Sequence, residues 1–229
     1  MERKEKFAID EYYHVYNRGV DGRNIADDCN DYSRLMKSLY LHNDSKMVDM
    51  SNVCSGVSYN QTFSLAKDEP LVAVGFYCLM PNHFHLVLKE IRDGGISEFL
   101  LKFSTGHSMF YNKKHKRSGA LLQGPFKAKR IDSEEYLRYL FAYVHLNPVK
   151  LFQKDWKEAG IKDLKKAKEY LQQYSYSSFL EYSGDDSRAE QSIIDKKSFP
   201  EYFQNSKEFS EYIDDWLTYK QEFSEGFPF

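Results

Sequence analysis

Two histidines stand two residues apart, His83 and His85, inside the stretch Leu71–Lys89 (LVAVGFYCLMPNHFHLVLK). Apolar runs flank a break at Met80-Pro81-Asn82 and predict two buried strands joined by a tight turn. Side chains alternate along a strand, so the two imidazoles share one face and Phe84 turns to the other. A His pair in an otherwise apolar strand has two readings: histidines satisfied by hydrogen bonds, or two ligands of a divalent metal. Two ligands do not complete a site, and a further one must come from elsewhere in the chain. Tyr143 and Asn147 form the second spacing of interest. Four apart on a helix, they lie one turn from each other and can address one point in space. The plainer reading of that pair is a partly buried Tyr and an Asn closing the helix.

The elements that must position these groups follow from periodicity. Glu11–Asn17 (EYYHVYN) is rich in strand formers and ends at Arg18-Gly19, which predicts a first strand with His14 and Tyr16 on one face. Asn30–His42 carries Tyr32, Leu35, Met36, Leu39 and Tyr40 at helical spacing. Ser45–Asp68 is polar and unpatterned and reads as a long loop or insertion. A helix is expected from about Ser97, with Phe99, Leu100, Phe103 and Phe110 as its apolar stripe, running into the basic exit Lys113–Gly119. Ala120–Ile131 reads as extended, interrupted by Gly124-Pro125. Asp132-Ser-Glu-Glu135 has the form of a capping box with Asp132 as N-cap. The helix it starts should run to about Asn147, because Pro148 disfavours helical geometry in the residue before it. Beyond Lys150 the pattern weakens: a helix within Ile161–Tyr174, an aromatic coil after it, a polar linker at Ser183–Ser192, and one or two short helices within Phe199–Phe223. The expected division is one domain over 1–182 and an acidic, aromatic extension over 183–229.

The 229 residues suffice for one substantial core, and aromatics at 16% argue against disorder. No apolar run is long enough to span a bilayer, and Met-Glu-Arg-Lys-Glu-Lys leads into no apolar signal region. Three widely spaced cysteines, Cys29, Cys54 and Cys78, fit a reducing compartment, so the expected location is the cytoplasm, with no membrane partner. No Gly-rich phosphate loop, paired-Cys zinc spacing or Gly-x-Ser-x-Gly occurs. The net charge of −2 is uninformative, but the charge is polarised. Leu101–Lys150 holds ten basic and three acidic residues, whereas from Glu181 onward there are 12 acidic and five basic. Such an asymmetry fits a basic face for a polyanion, with a merely solvated Lys-rich loop as the alternative. The candidate phosphate contacts are Lys113, Lys114, Lys116, Arg117, Lys127, Lys129 and Arg130, with Arg18 a weaker one.

Met80-Pro-Asn-His-Phe-His85, Tyr143-Val-His-Leu-Asn-Pro-Val-Lys150 and Tyr16-Asn-Arg-Gly19 together resemble the single-tyrosine transposases that carry a His-hydrophobic-His motif, in particular the REP-associated tyrosine transposase branch. The resemblance covers about Tyr12 to Tyr182. It implies an α+β, ferredoxin-like (RRM-like) antiparallel sheet with helices packed on it. It also implies that His83, His85 and Asn147 hold a divalent metal, Mg²⁺ or Mn²⁺, and that Tyr143 is the nucleophile. The implied activity is cleavage and rejoining of single-stranded or hairpin DNA through a covalent 5′-phosphotyrosine, by a monomer or a homodimer. Two other readings are a phosphodiesterase or nuclease using water at the same metal, and a DNA-binding relative without mobility. Tyr111 is a rival nucleophile beside the basic loop, with His115 at i+4 as a possible metal ligand. Tyr143 is preferred because Asn147 ties it to the metal through one helical turn.

Overall fold

The computed structural model describes residues 6–218. The N-terminal Met1–Glu5 and the end of the acidic extension, 219–229, lie outside them. The first strand, β1 (Tyr12–Arg18), leads through a short 3-10 turn into α1 (Cys29–Leu41). Asp28 caps α1 by accepting from the backbone N–H groups of Asn30 and Asp31. The Ser45–Asp68 stretch is not a featureless loop: it folds as α2 (Met50–Gly56) and α3 (Tyr59–Thr62). Caps create both helices. Asp49 accepts from Ser51 and Asn52, and Ser58 with Gln61 forms a reciprocal capping box. Both elements are too short to show a helical stripe of apolar residues.

The expected hairpin is β2 (Val72–Leu79) and β3 (His83–Glu90). After it come α4 (Gly95–Lys114), β4 (Lys127–Arg130) and α5 (Glu134–Leu146). The sheet order is β2-β3-β1-β4, with every neighbouring pair antiparallel. With β1-α1-β2-β3-α4-β4 as chain order, this is the α+β, ferredoxin-like arrangement.

The N-cap of α5 is Ser133, not Asp132. Ile131 N–H still donates to Tyr12 at 2.8 Å, so the chain remains tied to β1 up to that point. Ser133 then has extended backbone, and its side chain accepts from Tyr136 N–H at 3.1 Å. At the other end Asn147 keeps right-handed helical angles in spite of Pro148. A 3-10 turn over Asn147–Leu151 absorbs the proline at its start, where the missing N–H is not needed. Then follow α6 (Trp156–Ala159), α7 (Leu164–Gln173), α8 (Phe179–Tyr182) and α9 (Ser206–Thr218).

The sheet separates two apolar layers. Tyr13, Val15, Phe84, Leu86 and Leu88 point to one side and pack with α1 and α4. Phe76, Cys78 and Val87 point to the other and pack with α5, with Phe199 and with Phe209, Ile213 and Leu217 of α9. A bulge between Val74 and Phe76 re-phases β2. A side chain at Gly75 would strike the Phe199 ring, since its Cβ would lie 2.6 Å from ring carbons. The layer that holds α5 is therefore the layer that receives the odd-numbered face of β3.

Candidate active site

That face of β3 presents His83, His85 and Val87, while Phe84 is buried in the opposite layer against Phe103. Strand pairing sets His85 opposite Tyr16 and His83 opposite Arg18, and places His14 opposite Val87. Paired residues share a face, so His14, Tyr16 and Arg18 all project on the His-pair side. On the outer strand, Lys127 pairs with Tyr16 and Lys129 with His14, which adds two cations to the same side.

The last turn of α5 closes over these residues. Asn147 Oδ1 lies 3.4 Å from His83 Nε2. The Tyr143 ring meets the His85 ring edge-on, at 5.3 Å between centroids. His83 and His85 are 5.0 Å apart by the same measure. The four residues singled out by spacing thus converge within one chain. Tyr143 is 3% exposed, His85 5% and Asn147 0%, whereas His83 is half-buried and gives the group its opening to water. Burial pushes the Tyr143 phenol up from its ordinary value, and the adjacent Asn147 side chain pulls it back down. Lys150 Nζ lies 5.7 Å from the centre of the Tyr143 ring.

The residues present suit a divalent cation. Asn82 Oδ1 lies 2.6 Å from His83 Nδ1, so that nitrogen carries the proton and Nε2 keeps its lone pair. A lone pair on His83 Nε2 then faces an amide oxygen on Asn147, two acceptors with no proton between them. Asn147 Nδ2 is buried without a full hydrogen bond. Two ligand atoms about 2.1 Å from one ion are about 3.0–3.4 Å apart, which is the spacing a shared cation gives.

A second group of possible ligands exists, Asp27, Asp31 and His115, whose ligating atoms lie within 4.8 Å of one another. It is the only such group of three or more His, Cys, Asp or Glu among the described residues. Its charge is already committed. Lys114 Nζ contacts Asp28 and Asp31 at 2.6 Å, and His115 Nε2 lies 3.1 Å from Asp31. Tyr111 donates to Asp27 at 2.5 Å, and burial with that acceptor drives its phenol upward. The group pins the N-terminus of α1 to the C-terminus of α4 and ties up the rival tyrosine.

The basic residues divide. Lys127 and Arg18 are exposed on the site face, and Lys129 is half-buried there. Lys127 lies 5.9 Å from the Tyr16 ring, Lys129 lies 4.4 Å from that of Tyr136, and Arg18 donates to Gln123. Arg130 turns the other way and pairs with Glu11 at 2.6 Å. Lys113 and Lys116 are exposed beyond the site, where α4 ends, and Arg117 donates to Asn112 at 2.9 Å. Two contributors are invisible to spacing alone. His14 and Asn82 touch the His pair, and only the register of β1 on β3 brings His14 there.

Among solved structures, the chain is similar over its length to a REP-associated tyrosine transposase bound to a REP hairpin. The identity is 13% and the TM-score 0.50, with 100% of this chain and 98% of that one covered. At that identity the likeness establishes the fold, and the neighbour belongs to the branch whose motifs the sequence resembles. No family model matches the chain, and no curated protein matches it. No helix among the described residues is long and apolar enough to cross a membrane.

Proposed function

We propose that this chain is a tyrosine transposase of the REP-associated type, which cleaves and rejoins single-stranded or hairpin DNA in the cytoplasm. The observation that carries the reading is the meeting of His83, His85, Asn147 and Tyr143 at one point between β3 and α5, with His83 half-buried and the other three buried. The shared fold with a hairpin-bound transposase supports it. Residues 1–182 are assigned as the catalytic unit and 183–229 as its extension.

His83, His85 and Asn147 would hold Mg²⁺ or Mn²⁺, and when bound the cation supplies Lewis-acid stabilisation of the charge that develops on the scissile phosphate. Tyr143 Oη attacks the phosphorus. The bond to the 3′ oxygen breaks, releasing a 3′-hydroxyl, and the 5′-phosphate remains joined to Tyr143. A phosphodiester is exchanged for a phosphotyrosyl ester, so a 3′-hydroxyl can reverse the step with no nucleotide cofactor. The phenol is a weak nucleophile near its ordinary pKa of about 10, and burial alone makes it weaker. Asn147 offsets part of that by favouring the charged phenolate. Lys127, Lys129 and Arg18 hold the strand on the same face by its phosphates.

The test uses a pool of randomised, end-labelled single strands bearing hairpins. Incubation with Mn²⁺ should give a protein–DNA adduct stable on a denaturing gel. EDTA, His83→Ala and His85→Ala should each remove it. A water-using nuclease would cut the pool and leave no adduct, and cleavage that persists in EDTA would overturn the metal assignment.

A further inference from the structure

We infer that His14 is a positioning residue that fixes the metal-binding tautomer of His85. The inference rests on the proposed role of His85 as a metal ligand.

His14 Nε2 and His85 Nδ1 are 3.0 Å apart, and His14 is 0% exposed. The rings lie nearly parallel, 20° between planes at 5.1 Å. One proton occupies the line between the two nitrogens. If His14 owns it, His85 accepts at Nδ1 and carries its own proton on Nε2, so neither nitrogen can bind a cation. If His85 owns it, Nδ1–H donates to His14 and Nε2 carries a lone pair in place of a proton. Only the second arrangement makes a ligand. It requires His14 to be the Nδ1–H tautomer, with Nε2 as acceptor, and so places a proton on a buried nitrogen that makes no hydrogen bond within the chain.

The other member of the pair is treated in the same way. His83 Nδ1 lies 2.6 Å from Asn82 Oδ1, an acceptor that also leaves Nε2 available. Each histidine of the motif thus has its Nδ1 proton drawn to a neighbouring acceptor, one from the turn before β3 and one from the strand beside it. Ligating imidazoles gain orientation and basicity from such partners. His14, His83 and His85 do not form a group of three whose ligand atoms all lie within 4.8 Å of one another. The position of His14 follows from β1 pairing with β3, which sets it opposite Val87, two residues along β3 from His85 and on the same face.

The experiment measures Mn²⁺ affinity by paramagnetic resonance, with no DNA present, and the His85 tautomer by ¹⁵N NMR of the metal-free protein. His14→Phe removes the acceptor and should weaken Mn²⁺ binding by about 10- to 100-fold. His14→Gln places an amide oxygen near the Nε2 position and should recover most of the affinity. The wild-type protein should show His85 protonated on Nδ1. An Nε2–H tautomer for His85, or a His14→Phe protein that binds Mn²⁺ as tightly as wild type, would overturn the inference. Should His14→Phe fail to fold, the tautomer of the wild type and the affinity of His14→Gln decide. His85→Ala separates the two claims: if it leaves Mn²⁺ affinity unchanged, the metal reading itself fails, whatever His14 does.

Discussion

The basic side chains divide once their neighbours are known: some stand on the face that carries Tyr143, some are held by acidic partners, and Lys113 and Lys116 are exposed beyond the site. Lys127 and Lys129 stand on the site face of the sheet, opposite Tyr16 and His14. Lys114 is held by Asp28 and Asp31, the latter fully buried, and Arg130 is held by Glu11. Changing Lys127 and Lys129 together to Gln should therefore lower the slope of log K against log salt by about 1.4, at about 0.7 per phosphate contact for single strands. Lys114→Gln should leave that slope unchanged and instead destabilise the fold, because Asp31 would lose its cation in a buried place. Salt titrations of binding to the randomised pool measure both; an unchanged slope in the double variant returns these lysines to the role of solvated surface. The sequence showed the charge excess over 101–150 but not this division. The acidic partners lie far away in the chain, Asp28 at 86 residues and Glu11 at 119.

At the scale of elements, the site depends on α5 being pressed against β2 and β3. Phe199 takes part from outside the stretch 12–182. It packs on Phe76 and Tyr12, and its ring fills the space where Gly75 lacks a side chain. Phe199→Ala should cost about 3 kcal/mol. Gly75→Ala should cost about 1–3 kcal/mol by overpacking, and most of that cost should vanish in the Phe199→Ala background. Urea unfolding of the two single variants and the double variant measures the coupling; purely additive losses would mean that the two residues do not share one space. Strong periodicity made β1, the hairpin, α1, α4 and α5 legible. It failed where caps act without periodicity, in α2 and α3. It also misjudged the start of α5, where backbone pairing to β1 keeps Asp132 outside the helix and leaves Ser133 to cap it. The convergence of His83, His85, Tyr143 and Asn147 was legible from spacing and resemblance. The contribution of His14 was not, because it rests on a contact 71 residues apart in sequence.

For the molecule as a whole, buried histidines set the response to acid. Burial pushes His42 and His107 down to about 4, and His145 down to about 3. His14, pushed down to about 3, acts in the same sense. These groups are neutral in the folded chain at pH values where the unfolded chain, titrating near 6.5, takes up protons. Each therefore makes stability fall as pH drops below about 6.5, by about 1.4 kcal/mol per pH unit until its folded pKa is reached. Glu181 works the other way. Burial pushes it up to about 7, so between 7 and its ordinary 4.5 it gains a proton in the folded state first. The histidines outnumber it, and the net expectation is a steep loss of stability from pH 6.5 to 4.5. Thermal unfolding across that range tests this, and a melting temperature that stays level would contradict the burial of neutral histidines.

The central claim is that Tyr143 forms the covalent bond to DNA, and peptide mapping of the trapped adduct by mass spectrometry tests it most directly. The expected result is a phosphotyrosyl nucleotide on the peptide containing Tyr143. In Tyr143→Phe the adduct should be lost, with Mn²⁺ and DNA binding nearly intact, because only the hydroxyl is removed. Tyr111→Phe should still form the adduct. A nucleotide mapped to Tyr111, or an adduct that survives Tyr143→Phe, would contradict the assignment.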